Sequence, residues 1–348
     1  MRWRFGPLSV LSLLVVLAAG PWAAPASPGA AAAAAAQTAT VRIGIVQGLQ
    51  DAPQLLALEY GYFREQGIAV EVNNFASAVD MIPLLAAGHL ETGTGSLNAG
   101  VFNAAARAIP IRVVADAGHV GPGERPFNGV LVRKDLVDSG QVRTLDDLRG
   151  RKFNLLARGS LGHIMFELVS NSVSGGLRDE DGVSLSMPDT APAMANGSVD
   201  AVFTFEPFLS NLVSSGTAVV LRSGHDLFPG HMVSVVMFAP AFADERTDLA
   251  RRWMVAYLKG VRAYNAAFEE GRGLDEAIAV FVQYLPIKDP AVYRRMGVPL
   301  LRSDASVDAA NVAAQQDIYV RLGLVPQPVD MARTIDDRFT QYAATQVP

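Results

Sequence analysis

The sequence has no cysteine. Disulfides, thiolate metal sites, a cysteine nucleophile and lipid attachment through an N-terminal cysteine are therefore excluded. Histidine is scarce. His89, His119, His163, His225 and His231 are scattered, no pair has metal-ligand spacing on one helix face, and HExxH is absent. No metal or cofactor is expected. Positive charge is not in surplus: 29 Lys and Arg against 34 Asp and Glu leave a net charge of −5, which argues against a nucleic-acid partner. Catalytic signatures are thin. There is no Walker sequence, and Gly121-Pro122-Gly123 stops short of a complete G-x-G-x-x-G and opens no helix. Arg158-Gly159-Ser160-Leu161-Gly162 lacks the first glycine of a nucleophile elbow. These gaps point away from an enzyme.

The chain has 348 residues, half of them hydrophobic, enough for two lobes with real cores. Its start reads as an export signal. Arg2 and Arg4 precede an apolar run from Leu8 to Ala19, and Ala24-Pro25-Ala26 offers a cleavage site. The expectation is a signal peptide over 1–26, a disordered alanine-rich linker over 27–40, and a periplasmic protein that is not a lipoprotein. No later run is long and apolar enough to span a bilayer.

From Val41 onward the pattern alternates between strand and helix. Val41–Val46 and Ile68–Val72 predict strands around a helix that opens near Pro53, a unit the size of a βαβ crossover. Further strands are predicted at Leu90–Thr94, Ile111–Ala115, Asn128–Val132, Lys152–Leu156, Val183–Met187, Asp200–Thr204, Ala218–Leu221 and Met232–Phe238. Beyond Arg246 the reading is almost all helix: 249–268, 274–283, 290–296, 307–322 and 332–342. Gly93-Thr94-Gly95-Ser96 reads as a small-residue loop before a helix, a place where free backbone N–H groups and a hydroxyl could hold a ligand.

One echo ties the halves together. Gly88 and Glu91 line up with Gly197 and Asp200, and the same register sets Ser96 opposite Phe205 and Leu97 opposite Glu206. It suggests two similar α/β lobes whose strand-end loops face across a cleft. Candidate binding residues follow from that placement. Gln47, Gln50 and Asp51 follow the first strand. Ser160 stands where it would cap a helix, with His163 one turn further on. Phe205 offers an apolar wall, and Glu206 sits where an unpaired carboxylate is costly, so it is expected to meet a ligand cation or N–H donor or to make a fixed lobe contact. For the serine, capping explains the residue as well as ligand contact does. For His163, a surface or capping role does the same.

Taken in order, several segments resemble the periplasmic substrate-binding proteins of the nitrate/sulfonate/taurine ABC importers and their thiamine-pyrimidine relatives. They are Glu59-Tyr60-Gly61-Tyr62-Phe63, Gly67 to Val72, Leu84 to Gly88 with Glu91, Leu145 to Lys152, Gly159-Ser160, Asn196 to Ala201, Glu206-Pro207 and Gln315 to Tyr319. The resemblance implies a two-lobed α/β binding-protein fold of the type with two crossover strands (type 2) and a helical C-terminal segment. Lobe I would be 41–129 plus 231–348, and lobe II 130–230. It implies ligand contacts at Gln47, Gln50, Asp51, Ser96, Asn98, Ser160, Leu161, Phe205 and Glu206, to which Leu97, Asn128 and His163 are added as candidates. The expected function is capture of a small polar organic molecule or anion for an ABC permease, by a monomer. An enzyme on the same scaffold and a solute sensor without transport are the alternatives. The cysteine-rich segment of the pyrimidine-synthesis branch is missing here.

Overall fold

The structure is a computed structural model that describes residues 38–347 other than 110 and 124. The leader and most of the expected linker lie outside the described residues. The linker's last three residues do not: Thr38 is described, and Ala39 and Thr40 already belong to the first strand, paired with Ile68 and Ala69.

Among the described residues, ten strands form two five-stranded sheets. They are β1 (Ala39–Ile45), β2 (Ile68–Asn74), β3 (Thr92–Gly95), β4 (Arg112–Asp116), β5 (Asn128–Arg133), β6 (Phe153–Asn154), β7 (Gly182–Val183), β8 (Ala201–Phe205), β9 (Ala218–Ser223) and β10 (Val235–Phe238). The orders are β2-β1-β3-β10-β4 and β7-β6-β8-β5-β9. The two orders are the same pattern. In each, three parallel strands are followed by one antiparallel strand that arrives from the other half of the chain: β10 in the first sheet and β5 in the second.

The glycine–acid echo has a physical basis. Gly88 and Gly197 both take left-handed φ, 71° and 79°, each closing a helix before a strand. Glu91 then accepts from the Arg42 backbone N–H at 2.8 Å, and its own N–H donates to the Arg42 carbonyl. Asp200 does the same with the Lys152 backbone, at 3.0 Å. In both lobes an acidic side chain ties the start of the third strand to its neighbour. Arginines neutralise each acid, Arg42 and Arg246 on Glu91 and Arg133 on Asp200.

Several expected elements shift. Gly93 and Gly95 lie inside β3 rather than in a loop. Their lack of a side chain serves packing, since a Cβ on Gly93 would stand 2.9 Å from Met81 Sδ and one on Gly95 2.5 Å from Ala78 Cβ. The strand expected at Val183–Met187 stops at Val183. Met187 instead opens a helix, Met187–Ala195, whose Pro188 suits the first turn. Met232 lies outside β10 and makes an isolated bridge to His119. The last predicted helix divides into Met331–Thr334 and Arg338–Gln346.

The long helix Thr247–Phe268 buries Trp253, Tyr257 and Tyr264 against the first lobe. Gly260 lets it approach the helix Ala52–Glu59, because a Cβ there would meet the Pro53 carbonyl oxygen at 2.0 Å. The Tyr257 hydroxyl donates to the Asp116 carbonyl at the end of β4. No helix among the described residues is long and apolar enough to cross a membrane.

Candidate functional site

The loops at the carboxyl ends of the parallel strands of both sheets meet around one cavity, about 540 Å³ of unfilled space with its open mouth included. From the first lobe it is lined by Val46, Gln50, Ser77, Ser96 and, on the chain leading back into β10, Val233. From the second come Leu156, Ser160, Leu161, Gly162, Phe203 and Phe205, with Met187 at the start of its helix. Among the described residues that line it, none carries a charge.

The polar part of the lining is the start of the helix Leu161–Ser172. Ser160 precedes it in extended conformation yet makes no side-chain cap. Its Oγ turns back and donates to the Ala157 carbonyl at 2.7 Å. The backbone N–H groups of Leu161 and Gly162, which have no partner within a helix, are therefore left for whatever enters the cavity. Gly162 is required here, since a Cβ would stand 2.2 Å from the Leu155 carbonyl oxygen. Gly159, at φ 78°, makes the turn that brings the loop round. His163 holds that loop by accepting the Gly159 N–H on Nδ1 at 3.1 Å. Burial lowers its pKa and favours the neutral ring that this bond needs.

Three of the other polar groups belong to the first lobe. Gln50 is buried on the short turn Leu49–Asp51, its amide folded over Gly48 and without a hydrogen-bond partner for Oε1. The Ser77 hydroxyl accepts from Val79 N–H and starts the next turn. Ser96 is positioned by Asn98, whose Nδ2 donates to the Ser96 carbonyl at 3.2 Å while its Oδ1 caps the helix Ala99–Ala106 through Gly100 N–H. The apolar wall is β8. Phe203 and Phe205 are two residues apart and so share a face, and Phe205 stacks on Phe127 at 6.3 Å.

Gln50, Ser96, Ser160, Leu161 and Phe205 thus meet at one cavity. Gln47 lines an adjoining chamber. The other sequence candidates stand behind the lining rather than in it. Asp51 is fully buried and accepts from the Val46 and Gly48 N–H groups, pinning the loop that carries Gln50; burial pushes its carboxyl up to about 8. Leu97 is core, and its carbonyl takes the Tyr319 hydroxyl. Asn98 and His163 act as described. Asn128 pairs with His231 across the two chain crossings, Nδ2 to Nε2 at 3.0 Å.

Of the roles open to Glu206, the structure shows the fixed contact between lobes. Its carboxylate accepts from Ser210 N–H, Ser210 Oγ and, from the C-terminal segment, Gly297 N–H at 3.3 Å. Its carbonyl takes the Leu49 N–H of the first lobe. Burial pushes this carboxyl up to about 7. A further bond between the lobes runs from Ala99 N–H to the Gly159 carbonyl, at 2.9 Å. Glu206 therefore clasps the lobes beside the cavity instead of facing into it.

Ser77, Val46, Val233, Phe203, Leu156, Met187 and Gly162 line the cavity without having stood among the candidates. Only Phe203 carried a signal, its two-residue spacing from Phe205. Arg158, the one arginine in a candidate loop, is exposed and outside the lining. Among the described residues no group of His, Cys, Asp and Glu is placed to hold a metal.

Residues 49–270 match the family described as NMT1/THI5 like. The chain belongs to that family. It is 26% identical over 316 residues to the "Putative aliphatic sulfonates-binding protein" of Bacillus subtilis (strain 168), covering 88% of this chain and 89% of the relative. It is 28% identical over 149 residues to the 4-amino-5-hydroxymethyl-2-methylpyrimidine phosphate synthase THI13 of Saccharomyces cerevisiae, covering 43% and 40%. Among solved structures, the periplasmic nitrate-binding protein NrtA from Synechocystis PCC 6803 superposes with a TM-score of 0.73 at 13% identity, covering 89% of both chains. This member of the family therefore has the two-lobed α/β periplasmic binding-protein fold.

Proposed function

We propose that the chain is an exported solute-binding protein that closes its lobes on a small organic solute and delivers it to an ABC import permease. One observation carries the reading. A single cavity is lined from both lobes and meets the uncapped N-terminus of the helix Leu161–Ser172. A ligand that accepts those N–H groups while touching Gln50, Ser96 and Val46 contacts both lobes at once, and such a ligand favours the closed form. The sulfonate-binding relative supports the same reading. The lobe limits proposed are 41–129 with 231–348, and 130–230, and the protein acts as a monomer in the periplasm after loss of its leader.

Binding rather than catalysis is favoured by the lining itself. It offers hydroxyls, an amide, backbone donors and apolar walls, but no acid, base or charged side chain. The donors suit the oxygens of a sulfonate or carboxylate, and Phe203 and Phe205 suit an organic body more than a bare inorganic ion.

Thermal unfolding against a panel of sulfonates, nitrate, carboxylates, pyrimidines and amino acids tests the proposal. A true ligand at a hundred times its Kd adds about 2.7 kcal/mol of stability. A panel without any shift, or turnover of a bound compound, would overturn it.

A further inference from the structure

Glu206 is buried where the lobes meet, at 1% exposure. Its carbonyl takes the Leu49 N–H, and its side chain takes the Gly297 N–H of the C-terminal segment at 3.3 Å. Its own N–H donates to the Phe127 carbonyl, on the chain that leads into β5. The charged side chains on the segments around it are Asp51 on the turn Leu49–Asp51, Arg125 ahead of β5, and Arg294 and Arg295 on the helix Pro290–Arg295. Among the described residues none forms an ion pair with Glu206. Arg294 pairs with Asp275, and Arg125 and Arg295 are exposed. Asp51 keeps its own proton up to about pH 8 and below that adds no charge.

The carboxyl group is held by neutral donors alone. Ser210 N–H reaches Oε2 at 2.9 Å, while Ser210 Oγ at 2.7 Å and Gly297 N–H reach Oε1. One of these three bonds can reverse. A hydroxyl accepts as well as donates, so Oε1–H can donate to Ser210 Oγ while both N–H groups keep their acceptors. The neutral acid therefore fits without losing a hydrogen bond, and it avoids burying an unpaired charge. Burial accordingly moves the group from 4.5 to about 7.

We infer that closing the lobes takes up a proton at Glu206, so that acid favours solute capture and a rise in pH favours release. This rests on the solute-binding reading above and adds a regulation to it. Leu49 and Gly297 belong to the first lobe and Glu206 to the second. Opening the cleft parts Glu206 from both, admits water to the carboxyl group and returns it toward its ordinary 4.5. Between about pH 5 and 7 the closed form then holds a proton that the open form has lost. The closed form gains on the open one as pH falls through that window, levels off below it, and loses the advantage above it.

Distances between spin labels test this without any ligand. The chain has no cysteine, so Glu71→Cys and Ser184→Cys put one label on each lobe. Both residues are exposed, Glu71 in β2 and Ser184 directly after β7, the end strands of the two sheets. Pulsed electron resonance on the full chain should show the ratio of closed to open falling by about tenfold or more from pH 5 to pH 8. With Glu206→Gln added, which cannot titrate, the ratio should change by less than about twofold. Infrared difference spectra of the parent should show a buried carboxylic acid band that rises and falls with the closed distance and that the variant lacks. A parent ratio that stays level or rises with pH, or a variant that follows the parent, would overturn the proton link and leave the solute reading standing. Should the variant not fold, a band in the parent that titrates apart from the closed distance would overturn the link as well. A single distance at every pH would remove lobe movement, and with it the reading on which the link rests.

Discussion

Asp51 and Glu206 bury carboxyl groups that no cation among the described residues answers, and each holds a loop. Asp51 has its ordinary value of 3.8 raised to about 8 by burial, against backbone hydrogen bonds that pull the other way. The folded chain therefore keeps this proton between about pH 4 and 8, where the unfolded chain has lost it. Stability from this group is full below pH 4 and is lost as pH rises toward 8. Urea midpoints across that window should fall with rising pH, and Asp51→Asn should flatten that component of the slope. An unchanged slope would show that Asp51 does not carry the proton. Glu206→Ala removes the acceptor for Ser210 and Gly297. A loss of roughly 1–3 kcal/mol in stability is expected, with ligand binding weakened by at least tenfold although the carboxylate does not line the cavity. Chemical denaturation and calorimetry on the same variant read both effects, and a variant matching the parent in both would remove the clasp. Gly162→Ala is the sharper test of the helix start proposed to face the ligand. The new Cβ would collide with the Leu155 carbonyl, so the helix start must move, at a cost of about 1–3 kcal/mol and most of the affinity. Parent-like affinity in that variant would disconnect the helix start from the ligand.

At the scale of elements, the acid at the head of the third strand is used twice. Glu91 and Asp200 occupy equivalent places in the two sheets, and their hydrogen-bond partners do not overlap. Replacing either with alanine leaves backbone N–H groups and arginines without their acceptor, for an expected loss of about 1–3 kcal/mol. Because the sites share no partner, the double variant should lose the sum to within about 0.5 kcal/mol. A strong departure from additivity, read from denaturant unfolding of the four proteins, would mean that the two sheets are more tightly coupled than these contacts indicate. Other elements misled in the sequence for local reasons. Ser184, Leu185 and Ser186 continue the apparent alternation of a strand, but Pro188 removes a backbone donor and fits a helix start, so the strand ends at Val183 and Met187 turns toward the cavity. Gly93 and Gly95 look like loop residues in one dimension. In three, a Cβ at either would crowd Met81 or Ala78 where they lie against β3.

For the whole molecule, ligand capture requires that the lobes gain contacts together. Leu49 to Glu206 and Ala99 to Gly159 are two of the hydrogen bonds that join one lobe to the other beside the cavity, with Gly297 to Glu206 beside them. A ligand bridging Gln50 and Leu161 adds to the same interface. Small-angle scattering should show a more compact particle with a true ligand than without, and the Glu206→Ala variant should require more ligand to reach it. An unaltered scattering profile at saturation would argue against lobe closure.

The alternation of strand and helix, the repeated glycine–acid pair and the order of motifs were local in sequence, and they were enough for the α/β class, the two-lobed architecture and the family. They were also enough to bring Gln50, Ser96, Ser160, Leu161 and Phe205 to attention, because a residue after a strand or before a helix faces the sheet's carboxyl edge. The direction of each side chain was not local. Whether Glu206 faced the cavity or the clasp depended on Gly297, 91 positions away. Whether Met187 belonged to a strand or a cavity depended on Thr204 and Val46. Burial and hydrogen-bond partners across the cleft arise only when distant segments meet. Those contacts, not the motifs, decided which candidates line the site and which hold it in place.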